Sequence, residues 1–353
     1  MKPRLLIVEL HHLGDAVLSL PFLRGAQEEH EVHILCRPAT RAIYELLSPA
    51  PTIHSWEPPW TGEPSGGIGA SLRAAREKGR TLREHKFAIA VSAWADARVE
   101  ILMAETAAGQ RLGFPMTRNN YYASNLPWRR QRRLLGRLLE AGWASLHLGR
   151  PLLTRSLHRT TPTQPHLQCW QQIATSLGIS WEDSIPWVPL PHCSPSPSDG
   201  RPVLAVHRQA RLPSKQWPLP RWQELLSHPE VKERFHLLEI LPPEGEKISP
   251  SRESSVSTPD LGSLVTAISS ADAMLCHDSF PAHLAAALGK PVVAIFGSGE
   301  PDWFAPWKNR DRVVQKNVCP LHPCIDRCGM DRYLCLDHIK VADVLQQLKR
   351  LVP

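Results

Sequence analysis

The strongest constraint on this chain is a recurring unit: a short, uninterrupted apolar run, a turn, then apolar residues at helical spacing. Leu5-Leu6-Ile7-Val8 is followed by turn chemistry at Leu13-Gly14-Asp15, after which Val17, Leu20 and Leu23 recur at three-residue steps. The unit repeats at Val32 to Leu35 before a helix expected from about Ala39, and at Phe87 to Val91 before one expected from about Asp96. It resumes at Val203 to Val206, Phe235 to Leu238, Ala273 to Cys276 and Pro291 to Phe296. Strands alternating with helices predict a parallel sheet covered by helices on both faces, a doubly wound α/β architecture.

The alternation is interrupted once. Between Pro186 and Pro202 six prolines (186, 189, 191, 195, 197 and 202) are interleaved with Ser194, Ser196 and Ser198, a composition that cannot continue a helix or a central strand. The expected organisation is an N-terminal lobe over 1–185, a Pro/Ser-rich linker over 186–202 and a C-terminal lobe over 203–353. A length of 353 residues suits two domains. The 34 prolines, about twice the usual share, stiffen the linker and loops such as Pro58-Pro59 and Pro242-Pro243. No run approaches the length needed to span a bilayer, and Glu9, His11 and His12 cut short the apolar start that a signal peptide would need. The expected location is the cytoplasm. Lys and Arg exceed Asp and Glu by 41 − 34 = 7, a balance that favours anionic partners without choosing among nucleic acid, membrane and phosphorylated sugars.

Chemistry concentrates at the ends of the predicted strands. Gly14 permits a sharp turn and Asp15 stands where a helix N-cap is expected, so Asp15 either caps the helix or faces the ligand side as a general base. In the second half, Cys276-His277-Asp278-Ser279-Phe280-Pro281 joins a strand end to a helix whose first amides form a seat for phosphate. Phe296-Gly297-Ser298-Gly299 supplies a flexible loop at a neighbouring strand end. Ser214-Lys215-Gln216-Trp217-Pro218 offers an ammonium that either meets phosphate charge or is simply solvated. Arg73, Arg76, Arg80 and Arg83, spaced by three, four and three, fall on one helix face, as a phosphate-recognising stripe or as a solvated surface.

Leu13-Gly14-Asp15 with Pro21, Arg111-Leu112-Gly113-Phe114, Ser214 to Pro218, and the block from Asp278-Ser279 through Phe296-Gly297 to Ala305-Pro306-Trp307 occur in an order that resembles one family. It is the glycosyltransferase family that includes the bacterial ADP-heptose:lipopolysaccharide heptosyltransferases. The resemblance implies a GT-B fold, two Rossmann-like lobes facing a central cleft, with acceptor on the first and nucleotide sugar on the second. It also implies inverting transfer of heptose from ADP-heptose without a catalytic metal. Asp15 matches the family's base. Lys215 and the amides around Ser279 and Phe280 would stabilise charge on the leaving diphosphate, and Asp278 would bond sugar hydroxyls. His283, Gly297 and Gly14 complete the implied donor-binding set. The chain departs from the family at Phe280, where glycine is usual, and at His207-Arg208-Gln209, where His-Pro-Gly is usual; Arg208 adds positive charge there.

The expected acceptor is the anionic lipopolysaccharide inner core, bound through Arg73, Arg76, Arg80 and Arg83. Trp128-Arg129-Arg130-Gln131-Arg132-Arg133, followed by four leucines, reads either as an amphipathic helix resting on the inner membrane or as a core-facing helix with a charged outer side. A protein acceptor, as in autotransporter heptosylation, and a degenerate homologue that only binds nucleotide sugar are the competing readings. No nucleic-acid-binding motif is present. Cys319, Cys324, Cys328 and Cys335 lie within 17 residues and either close a tetrahedral site for structural zinc or iron or stay reduced. His322 and His338 are substitute ligands. Cys36, Cys169, Cys193 and Cys276 are scattered and read as buried thiols.

Overall fold

The computed structural model describes residues 2–61, 68–116, 151–161, 164–191, 199–241, 254–322, 324 and 328–351. The chain divides into two units, Met1–Ser184 and Ile185–Pro353. The first holds six parallel strands: β1 (Arg4–Glu9), β2 (Glu31–Cys36), β3 (Thr52–Ser55), β4 (Ile89–Ser92), β5 (Gln110–Gly113) and β6 (Arg155–Ser156). Their order is β3-β2-β1-β4-β5-β6. The second holds β7 (Val203–His207), β8 (His236–Leu241), β9 (Ser254–Ser257), β10 (Ala273–His277), β11 (Val292–Phe296) and β12 (Val313–Gln315), in the order β12-β11-β10-β7-β8-β9. Both are the doubly wound order, in which the direction of winding reverses beside the first strand. Ligands of such sheets bind outside the carboxyl ends of the strands at that reversal, here between β1 and β4 and between β7 and β10.

The central strands are buried on both faces, which is why they read as unbroken apolar runs. In the first unit Leu6 and Val8 of β1 pack with Leu72 and Ala75 of the helix Ile68–Thr81 and with Val99, Leu102 and Met103 of the helix Ala97–Glu105. In the second, Leu204, Val206, Leu275, Val293 and Ile295 pack against Trp217, Trp222, Val344 and Leu348. Each of these large side chains contributes roughly 1.5–3 kcal/mol by leaving water.

The start of the proline-rich stretch packs into the second unit. Trp187 is buried and its N–H donates to the Ala287 carbonyl at 2.7 Å. A large indole so close to the sequence boundary gains more from burial than from spacing two lobes. Residues 192–198 of that stretch, which include Cys193, lie outside the described residues, as does the basic run Arg129 to Arg133. Among the described residues no helix is long and apolar enough to cross a membrane.

Candidate functional site

In the first unit, the carboxyl ends of β1 and β4 carry a compact charged group. His12, in extended conformation, is the N-cap of the helix Leu13–Glu29, and Asp15 lies three residues into it. Its Oδ2 accepts the His12 N–H at 3.0 Å. The expected N-cap position of Asp15 is therefore corrected: Asp15 is the reaching carboxylate of a capping box, 8% exposed. Gly14 sits in the same first turn.

The sequence reading missed the support behind Asp15. Glu9 at the end of β1 is fully buried, accepts the His11 N–H at 3.0 Å, and lies 3.3 Å from His11 Nδ1 and 3.8 Å from His166 Nε2. Burial alone would raise the Glu9 carboxyl, but the nearby His11 and His166 rings outweigh it and hold the group well below the ordinary range. Burial likewise works against the His11 imidazolium, yet the Glu9 bond and charge, with Asp15 and Asp96 adding, hold His11 above its ordinary value. Trp94, after β4, stacks on His11 at 4.1 Å and lies 4.4 Å from His166. Asp96 caps the helix Ala97–Glu105 and binds the Arg98 guanidinium. Burial, with Asp96 adding, pushes Glu100 up to about 8 against the bond from the Met116 N–H, so Glu100 is neutral at pH 7. A buried base-and-imidazole set beside Asp15 was legible only as Glu9 and His11 in the same loop; Trp94 and His166 are too distant in sequence to associate with them.

The arginine stripe is not a single helix face: Arg73, Arg76 and Arg80 lie in the helix Ile68–Thr81, but the helix ends before Arg83, which opens the 3-10 turn Arg83–His85, and three of the four share an internal partner. Arg76 Nε and Arg80 Nε lie 3.0 and 3.3 Å from the Glu105 carboxylate, and an Arg83 terminal nitrogen lies 2.7 Å from it. Arg83 Nε also donates to the Glu105 carbonyl at 2.6 Å. Glu105 is 3% exposed, whereas the arginines are about a third to a half exposed, so the carboxylate is the anchor. Arg73 is exposed. Burial would raise Glu105, but the Arg76 and Arg80 bonds lower it. A Glu105→Gln variant is expected to lose roughly 1–3 kcal/mol at pH 7, read by chemical denaturation. Arg73→Ala should stay within about 0.5 kcal/mol. Because the folded pKa is depressed, the Glu105 contribution is present above pH 4.5 and disappears as pH falls through the lower folded value. An equal loss in both variants would refute the anchor.

The second unit assembles most of the expected donor residues. Lys215, in a 3-10 turn after β7, places Nζ 2.7 Å from Oδ2 of Asp278, which follows β10 and is nearly buried. Ser214 Oγ meets Ser298 Oγ at 3.0 Å and the Ser214 carbonyl accepts the Ser298 N–H at 3.1 Å, tying the loop after β11 to the loop after β7. Two glycines permit this approach. A Cβ on Gly297 would stand 2.3 Å from the Ser214 carbonyl oxygen, and one on Gly299 would stand 2.1 Å from Asp278 Oδ2. Ser279 is the N-cap of the helix Phe280–Ala287, with Pro281 in its first turn, so the helix dipole opens beside Asp278. Phe280 is half-buried at that mouth and His283 is buried further along.

His277 sets the spacing. Its Nε2 accepts the Trp217 N–H at 2.9 Å and faces the Trp222 indole N–H at 3.3 Å, so the residue before Asp278 holds the chain two residues beyond Lys215. Burial, with the His207 charge adding, pushes His277 down to about 3, which keeps that lone pair available. Arg208, expected to add charge to the site, instead bonds Glu239 of β8 at 2.9 Å. Gly299 O accepts from Gln315 Nε2 at 2.9 Å and lies 3.1 Å from His322 Nε2, linking the cysteine-bearing segment to the glycine loop.

Cys319, Cys324 and Cys335 are buried, Cys328 is half-exposed, and none of the four is in a disulfide. Burial pushes the Cys335 thiol up, and the neighbouring Cys328 and Cys319 push it further. Among the described residues the one group of three or more His, Cys, Asp or Glu whose ligand atoms all lie within 4.8 Å of one another is His33, His54 and His85. As placed, the four thiols therefore do not close the expected zinc or iron site, and His322 is engaged with Gly299 and Gln315. Cys36, Cys169 and Cys276 are buried thiols.

Comparison with known proteins bears on the fold. Residues 188–333 match the family model described as glycosyltransferase family 9 (heptosyltransferase). Over 99 residues the chain is 32% identical to lipopolysaccharide heptosyltransferase 3 of Escherichia coli; the match spans 28% of each protein. A family 9 glycosyltransferase structure from Veillonella parvula superposes with a TM-score of 0.65 at 15% identity, covering 99% of this chain and 97% of that one. The E. coli heptosyltransferase WaaC with ADP gives 0.62 at 17% identity, covering 99% of this chain and all of the other. At such identities the structures speak to the fold, which is GT-B.

Proposed function

We propose, on the premise that residues 188–333 carry the glycosyltransferase family 9 domain, that this chain is an inverting glycosyltransferase moving heptose from ADP-heptose to the lipopolysaccharide inner core. The reading places it in the cytoplasm, acting without a catalytic metal. What carries it is the Lys215 and Asp278 pair at the reversal of the second sheet, bounded by a helix N-terminus and two glycines. The Lys215 ammonium has three donors; one serves Asp278, leaving two for diphosphate oxygens. Asp278 accepts from sugar hydroxyls.

In the reaction an acceptor hydroxyl gives its proton to the Asp15 carboxylate as its oxygen bonds to the anomeric carbon. The bond from that carbon to the diphosphate oxygen breaks on the opposite face, and its electron pair leaves with ADP. Charge grows on the β-phosphate, where Lys215 and the amides from Ser279 onward meet it.

Because Arg76, Arg80 and Arg83 are tied to Glu105, their claim on an anionic acceptor is weakened, and that observation favours keeping a protein acceptor as the second reading. The test is incubation with ADP-heptose and a panel of truncated lipopolysaccharides and proteins, read by mass, with thermal stabilisation by ADP measured in parallel. The expected result is stabilisation by ADP but not by UDP or GDP, and a gain of one heptose on a core acceptor. Gain on protein alone supports the second reading. Stabilisation with no transfer to any acceptor indicates a degenerate donor-binding homologue.

A further inference from the structure

We propose that His33, His54 and His85 form a binding site for a borderline divalent transition metal, zinc above all, separate from the residues of the transfer reaction. Their ligand atoms all lie within 4.8 Å of one another, and His33 Nδ1 is 3.0 Å from His54 Nε2. Nitrogens sharing one tetrahedral zinc stand about 3.3 Å apart, given bonds of about 2.0–2.1 Å. Two of the three are already at that separation. Three imidazoles without a carboxylate among them select zinc, cobalt, nickel or copper over magnesium or calcium.

The ligands come from rigid elements. His33 is the third residue of β2 and His54 the third of β3; β2 and β3 pair with His54 opposite Leu35, two residues beyond His33, so both rings leave the same face of the sheet. His85 closes the 3-10 turn Arg83–His85, which precedes β4. The site therefore lies by the amino-terminal half of β2 and ahead of β4, whereas Asp15 follows the carboxyl end of β1. The rings form one aromatic cluster: His33 and His54 stack at 5.3 Å, His54 and His85 lie 4.6 Å apart, and Phe87 packs against all three.

A second layer orients the ligands as metal sites require. His33 Nε2 lies 3.2 Å from Glu31 Oε1, and since a carboxylate only accepts, that nitrogen carries the proton and Nδ1 presents its lone pair toward His54. This is the carboxylate–histidine arrangement that fixes tautomer and raises ligand basicity. Arg4 bonds both Glu31 oxygens at 3.2 Å and the His85 carbonyl at 3.0 Å, so one guanidinium holds the carboxylate and the backbone of the third ligand. The charges around the trio are Glu31, Arg4, Glu84 at 3.7 Å from His85 Nε2, and Lys78, whose charge acts on His54. The histidine ring buried most deeply is His33, while His85 is 29% exposed, which gives an ion a way in.

The experiment titrates chelator-treated, untagged full-length protein with cobalt and zinc. The expected result is one equivalent of cobalt whose visible bands lack sulfur-to-metal charge transfer, displaced by zinc, with paramagnetically shifted imidazole resonances from three rings. The His54→Ala, His85→Ala double variant should lose this equivalent and its zinc-induced thermal stabilisation. Glu31→Gln should retain it about 10–100-fold more weakly. Cobalt bound only with sulfur charge transfer, which would place it on the cysteines, would overturn the proposal. So would the absence of saturable binding, or binding to folded double variant equal to wild type. The resonances of the wild-type rings decide the matter should a variant fail to fold.

Discussion

An Asp15→Asn variant is expected to bind ADP-heptose with wild-type affinity and to transfer heptose about 10²–10⁴-fold more slowly. Asparagine keeps an oxygen where Asp15 Oδ2 accepts the His12 N–H, so the capping box and the entry of the helix Leu13–Glu29 survive. What it removes is proton acceptance. The surroundings argue that this matters: the Glu9 carboxylate accepts the His11 N–H and is held well below its ordinary range beside His11 and His166, and burial pushes Glu100 up to about 8, so neither stands ready to replace Asp15 as a base. Calorimetry with the donor, thermal unfolding and turnover read by mass together isolate the chemical step. Full activity with an unchanged unfolding midpoint would remove Asp15 from the mechanism.

Lys215→Ala should produce two losses that can be separated. The first is catalytic, about 10²–10³ in turnover, because one fixed positive charge facing the leaving diphosphate disappears. The second is structural. Asp278 is 4% exposed, and without Lys215 at 2.7 Å its carboxylate is buried against Gly299 with no cation. Removing one partner of a buried pair costs about 3–5 kcal/mol; the partial exposure of Lys215 puts the expectation at or below the lower end. Adding Asp278→Asn to Lys215→Ala removes the stranded charge and should recover most of the stability while turnover stays low. A double variant that transfers at the wild-type rate would show that Lys215 does not meet the diphosphate.

How much of this could be read from the sequence follows from where apolar residues are compulsory. β1, β2, β4, β7, β8, β10 and β11 are central or deeply covered and announce themselves as unbroken runs. The edge strands β3, β6, β9 and β12, with the short β5, pass unnoticed because half-wet strands such as Thr52–Ser55 and Arg155–Ser156 tolerate polar residues. The same logic governs the site. Lys215, Asp278, Gly297 and Asp15 are visible because strand ends followed by turns are where ligands bind. Glu105 was invisible as the partner of Arg76, Arg80 and Arg83 because the contact spans 22 to 29 residues and joins two helices. Periodicity finds a face and not what that face meets. His33, His54 and His85 lie on separate elements, so no spacing rule could gather them.

The bond from the Trp217 N–H to His277 makes the stability of the proposed donor seat depend on pH. His277 accepts that proton only while its ring is neutral, and burial holds its folded pKa near 3 against an ordinary value of 6.5. With the folded value depressed, the neutral ring favours the native chain fully above pH 6.5. The advantage shrinks as acidity increases, by about 1.4 kcal/mol per pH unit, and is gone near pH 3. His207, pushed down to about 4 by burial with Arg208 adding, drains in the same direction. Mild acidification therefore narrows the advantage of the folded chain over the unfolded one, while the lone pair that fastens the Lys215 turn to the Asp278 strand end is itself withdrawn only near pH 3.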